Sequence, residues 1–210
     1  MPLDLLSRLK NETAACHARL ENALDLMRDD LQRDEYIALL ERFYGYVAPW
    51  EDATAACMPA SLADFFDARR KAQLLAADLV ALTGETQRSA SVQHADSHDD
   101  LPRMHNIGGA FGSMYVMEGS TLGGRFIAPH VAERLDLVPG QGNAYFEGYG
   151  PRTGSMWNAF REIAAASVPE SQYDDAVKAA IATFESLHAW LCPEAADARQ
   201  QRLQPAAGAV

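Results

Sequence analysis

Wherever this chain shows an apolar pattern, the pattern repeats every three or four residues, and no segment alternates as a half-buried strand does. That restricts the fold to helices packed on helices. We expect a single all-α domain over residues 1–210, with its core at about 3–192 and a tail at 193–210. Leu6, Leu9, Thr13, Leu20, Leu24 and Met27 stripe a first helix over about 3–27. A second begins near Asp34, carries Tyr36, Leu39, Leu40, Phe43 and Val47, and is interrupted by Pro49, which cannot continue the backbone ladder. A third covers about 62–82 and ends at Gly84. Residues 85–103 are polar and aperiodic and read as a loop. A glycine-laden helix follows over about 104–135, then a turn-rich segment around Pro139–Pro151. Two last helices cover 154–166 and 169–191, with Pro193 stopping the second.

Composition removes several function classes. A net charge of −11 leaves no basic stripe for a phosphate backbone, so no nucleic-acid partner is expected, and it disfavours an anionic membrane surface. Cys16, Cys57 and Cys192 are odd in number and far apart, which reads as reduced thiols in a cytoplasmic protein. The first residues do not read as a signal peptide, and no apolar run approaches the roughly 20 residues of a membrane span.

Two features carry chemistry. His17 falls on the apolar stripe of the first helix, where an imidazole must find a hydrogen bond or a ligand or bear a desolvation cost. Lys10 lies seven residues earlier on the same face, about 10 Å away along the axis. An iron ligand and a cation at that separation suit a flat anionic macrocycle, whereas a satisfied core histidine and a solvated lysine are the plainer readings. His188, beside the stripe of the last helix, competes with His17 on spacing. The second feature is NIGGAFGSMYVMEGSTLGGRF, in which Gly108, Gly112, Tyr115, Gly119 and Gly123 follow one another by three or four. Each interior glycine costs about 1 kcal/mol relative to alanine, so something approaches that backbone closely. Tight helix packing, a helix end and a flat ligand all satisfy the requirement. A nucleotide loop does not, because the lysine and the preceding strand are missing.

These segments resemble the haem oxygenase family, and its bacterial branch in particular. LKNETAACHARLE resembles the family's proximal helix, and YVMEGSTLGGRFI its kinked distal helix, whose glycines overlie the haem. The likeness runs over roughly residues 3–192. It implies a helical bundle with haem held between the first helix and the glycine-rich one. The implied reaction is oxidative opening of haem to biliverdin, carbon monoxide and ferrous iron, with haem as cofactor and substrate, O2 as oxidant and electrons from an external reductase or ferredoxin. Some bacterial relatives pass biliverdin to a phytochrome. Carried over by position, His17 matches the iron ligand and Lys10 a propionate-binding cation. Gly119, Gly123 and Gly124 match the distal glycines. Arg161 falls where a propionate-binding arginine is expected, with Arg152 as an alternative, and Tyr115 lies near the distal face. Ser120 stands where mammalian members carry an aspartate. Glu21, four residues after His17, is a candidate to orient the imidazole.

Three other readings fit parts of the pattern. A haem carrier or sensor would keep His17 and the cations without turnover. A related helical enzyme acting on thiamine-like compounds or holding two irons would need carboxylate and histidine pairs that are not evident here. A helical interaction module would bind no haem. His94, His98, Asp96, Asp99 and Asp100 read as a solvated polar loop rather than a metal cluster, and Trp50, Trp157 and Trp190 as packing residues.

Overall fold

The computed structural model describes residues 4–138 and 140–193, so residues 1–3, Pro139 and 194–210 of the predicted tail lie outside the described residues. The protein is all-α, and no strand occurs among the described residues. Its helices are α1 (Leu5–Leu24), α2 (Arg33–Cys57), α3 (Ala63–Asp67), α4 (Ala72–Thr83), α5 (Ile107–Arg134), α6 (Ala144–Glu147), α7 (Thr153–Ser167) and α8 (Tyr173–Leu191). Short polar side chains start two of them. The Asp4 carboxylate accepts the Ser7 N–H, and the Asn106 side chain accepts the Gly109 N–H, each satisfying a donor that the helix itself cannot. Gln32 and Glu35 form a reciprocal capping box at the head of α2. None of the described helices is long and apolar enough to cross a membrane.

The last helix organises the rest. α1 and α5 both pack along α8, while α2, α4 and α6 close the far side of α5 around a core that includes Tyr36, Leu40, Leu75, Leu79, Phe111 and Phe160. Along α1, Arg8 pairs with Asp174 and the His17 ring meets Phe184. Along α5, Gly108 donates to Gln172 and Ser113 bonds Thr183. Residue numbers rise together in both cases, so α1 and α5 run parallel to α8 and to each other.

Three expectations change. Pro49 does not interrupt α2, which runs through it. The carbonyl that Pro49 cannot serve, four residues back on Gly45, accepts the N–H of Ala95 instead at 2.8 Å. A Cβ at Gly45 would overlap the Gln93 carbonyl, so the glycine admits the strip of chain that repairs the proline. The segment 85–103 is therefore stitched onto α2 rather than loose, with Ala95 and Leu101 buried and His94 edge-on to Tyr44. The predicted helix over 62–82 is broken into α3 and α4. Glu51 of α2 takes the N–H groups of Lys71 and Ala72 and caps α4 there, while Arg69 and Lys71 turn inward.

Candidate functional site: a groove between the first and fifth helices

α1 and α5 both pack along α8, and the exposed His17 and Lys10 of α1 with the open backbone at Gly119 and Gly123 of α5 define a candidate groove between them. They come together at one end, where the His130 ring lies 3.3 Å from the Arg28 carbonyl just past α1. His17 precedes that contact on α1, and Gly119 lies about 16 Å before it along α5.

The glycine row does two jobs. Its first members bring α5 onto α8: a Cβ at Gly112 would overlap the Ala176 carbonyl, and one at Gly108 would crowd Gln172. The later members face open space. A Cβ at Gly119 would meet only the rim of Trp157 at 3.9 Å, and one at Gly123 only Ile127 of its own helix at 4.0 Å. Gly124 points the other way, onto the Phe146 carbonyl. Packing and an open ligand face thus share one stripe of helix, and the plain packing reading holds for only part of it.

On the opposite wall His17 is exposed, not in the core, and Lys10 is exposed with it. The buried stripe of α1 is Leu5, Leu9, Thr13 and Leu20, and His17 sits beside that stripe with its ring edge-on to Phe184 at 5.7 Å. The imidazole makes no hydrogen bond among the described residues, and none joins it to Glu21. An exposed histidine held by one aromatic contact, with no hydrogen bond on its ring nitrogens, is able to ligate a metal.

α7 supplies the third side. Trp157 stacks on Phe160 and meets Tyr115, and Arg161 stands one turn further along. Burial raises the Tyr115 hydroxyl pKa, and the Arg161 guanidinium pulls it part of the way back, which puts the cation beside the tyrosine. The groove therefore has two unlike ends. Lys10, Tyr115 and Arg161 lie toward the N-terminal ends of α1 and α5. Phe126, on the same stripe as Gly119 and Gly123 and 72% exposed, lies toward the end that His130 closes. A flat ligand with an anionic edge and an apolar edge fits such a groove in one sense only.

Comparison with known proteins agrees with this reading of the fold. The family model for Heme oxygenase matches residues 3–192. The chain belongs to the haem oxygenase family. No curated protein matches it by sequence. Among solved structures it is similar to the heme oxygenase of Leptospira interrogans, at 16% identity and TM-score 0.68, covering 91% of this chain and 100% of that one. It is also similar to heme oxygenase-1 of the cyanobacterium Synechocystis, solved in complex with heme, at 16% identity and TM-score 0.65 over 96% and 100%. A third similar structure is a domain of unknown function with a heme oxygenase-like fold from Shewanella denitrificans, at 13% identity and TM-score 0.70 over 99% and 98%.

In this haem oxygenase family member the remaining candidates are placed as follows. Ser120 is exposed, and its hydroxyl donates to the Met117 carbonyl of its own helix. Arg152 is exposed at the head of α7, and His188 is half-buried near the end of α8. His94 and His98 are separated by their partners, Tyr44 and Asp99, and no cluster of three metal-ligating side chains occurs among the described residues. A cleft of about 500 Å³ lies between the 99–106 segment and α8, away from His17 and Gly119. Its Asp175 and Glu185 are already engaged by Asn106 and Arg19. Sequence reasoning missed Trp157 as a groove residue, although its place one turn before Arg161 was a usable signal, and it missed Phe126 and Glu118 entirely.

Proposed function

We propose that this protein is a haem-degrading oxygenase that takes haem into the α1–α5 groove with His17 as the iron ligand and releases biliverdin, carbon monoxide and ferrous iron. The observation that carries the reading is an exposed, unbonded imidazole on α1 together with α5 backbone stripped of side chains at Gly119 and Gly123, both helices packed on α8. Bound haem supplies the oxygen chemistry itself, with O2 and electrons from an external reductase or ferredoxin. The chain's own part is binding, orientation and shielding. Lys10 and Arg161 would hold the propionates at the polar end, Phe126 would face the apolar edge, and Tyr115 and Trp157 would cover the side. Gly119 and Gly123 let main chain, rather than a side chain, lie over the face opposite His17. The arrangement leaves no acid side chain from these positions to deliver a proton directly, and Ser120 is turned back to its own carbonyl. Which ring edge points inward, and hence which biliverdin isomer forms, would follow from the Lys10–Arg161 end. The free thiols of Cys16, Cys57 and Cys192 suit work in the cytoplasm, with a phytochrome as one destination for the product.

Hemin titration followed by an electron donor in air, with catalase present, tests the proposal. The wild type should give a sharp Soret band and then bleach to a biliverdin spectrum. His17→Ala should lose the sharp band while remaining folded, because the ring it removes is exposed. A Soret band that persists under reduction in air would make the protein a haem carrier or sensor of the same fold. An equally sharp band in His17→Ala would remove His17 as the ligand.

A further inference from the structure

Behind the groove, on the side of α5 away from His17, lies a cluster of buried charge that the proposed chemistry does not use. The Glu118 side chain is 3% exposed. Arg69 Nε stands 3.3 Å from one of its carboxylate oxygens and Lys71 Nζ 2.6 Å from the other. The Tyr149 hydroxyl donates to that second oxygen at 2.7 Å. The Lys71 ammonium also lies over the Tyr149 ring, and the Arg69 guanidinium over Phe65. Glu51, itself buried, takes the Lys71 and Ala72 N–H groups and lies 3.7 Å from the Arg70 guanidinium.

Such clusters are poor devices for stability, since well-packed apolar residues in their place are commonly neutral or better. What a buried cluster does enforce is position, because each charge must keep its partners or bear its desolvation. The position fixed here is informative. Glu118 immediately precedes Gly119, and its partners come from the α3–α4 turn and from the segment between α6 and α7. The rear of the same stretch is held twice more, where Thr121 lies against Gly148 and where Gly124 rests on the Phe146 carbonyl. The front carries nothing. Burial and the adjacent Glu118 push the Tyr149 hydroxyl far above the usual phenol range, so it remains a donor.

We propose that Glu118, with Arg69, Lys71 and Tyr149, is a positioning device that sets the height of the bare Gly119–Gly123 backbone above whatever occupies the groove. The identity of that occupant rests on the haem reading; the anchoring belongs to the polypeptide alone, and the two are tested separately. Tyr149→Phe removes one hydrogen bond to Glu118 and leaves no charge unpaired. In the apoprotein it should speed amide hydrogen exchange across 119–124 by about tenfold, the weight of one hydrogen bond to a charged group, and leave 109–116 unchanged. Unchanged exchange, or acceleration spread evenly along α5, overturns the anchoring. In the ferrous hemin complex with carbon monoxide as probe, Tyr149→Phe and Glu118→Gln should shift or split the C–O stretching band while the Soret band remains. An unchanged band in folded, haem-binding variants overturns the positioning role. Failure of the wild type to take up hemin would instead sink the functional reading, and exchange would still decide the anchor.

Discussion

At the scale of residues, the glycines of α5 make opposite predictions that a shared sequence spacing conceals. Alanine at Gly119 or Gly123 meets nothing closer than 3.9 Å, so its only effect on the free protein is the gain in helix propensity, up to about 1 kcal/mol. Alanine at Gly112 or Gly124 would drive a methyl into a carbonyl of a neighbouring segment and cost about 1–3 kcal/mol. Calorimetry should therefore raise the Tm of Gly119→Ala and Gly123→Ala and lower that of Gly112→Ala and Gly124→Ala. Hemin titration should rank them the other way, with the two stabilised variants binding less tightly because the added methyl occupies the ligand's face. Tighter or equal hemin binding by Gly119→Ala would mean that this face is not the one that meets the macrocycle. A periodic row of glycines announces close approach but not of what, and only the partner opposite each position separates a carbonyl from a ligand.

Helices and their ends mark the limit of what the sequence discloses. The patterned faces of α1, α7 and α8 are legible because each has one side on the core and one toward water, whereas the first half of α5 is buried on all sides and was legible from its glycines. Where reading failed, the deciding contact came from far along the chain: Ala95 repairs Pro49, and Glu51 breaks the helix over 62–82 by capping it at Lys71. The α1 stripe of Leu9, Thr13 and Leu20 was legible, but His17, read as part of it, lies beside it on the exposed flank. Glu118 was invisible, since nothing local distinguishes a buried glutamate from a solvated one. The same logic governs α6, whose first N–H groups, on Ala144 and Tyr145, are both accepted by the buried Asp78 carboxylate at 2.8 Å. α6 in turn supplies the carbonyl on which Gly124 rests. Burial raises the Asp78 pKa above its ordinary 3.8. As pH falls from neutral, the native state takes up this proton before the unfolded chain does, so the wild type gains stability relative to Asp78→Asn. The gain is complete once pH passes below the unfolded value. Urea midpoints of the two proteins across that range check it; a constant difference would mean that the carboxylate titrates normally.

For the whole molecule, the groove's local charge opposes the global one. The chain carries 29 acidic and 18 basic side chains, yet the polar end of the groove presents Lys10 and Arg161, and among the described residues neither forms an ion pair. On the proposed reading, a dianionic macrocycle would be repelled at a distance and attracted on arrival. Salt separates the two effects by range. The screening length falls from about 30 Å at 0.01 M to about 8 Å at 0.15 M, so distant carboxylates would drop out first while the cations proposed to meet the propionates would continue to act. The hemin association rate, followed by stopped flow, should therefore rise over that interval, against the fall seen when a charged site steers its ligand from afar. Removing the local cations should sharpen the trend: Lys10→Ala with Arg161→Ala should bind hemin more slowly at low salt and be accelerated more by added salt. A wild-type rate that falls steeply with salt would show that the cations at the groove mouth already dominate the field at long range, and the acidic remainder of the surface would then have no part in governing how haem arrives.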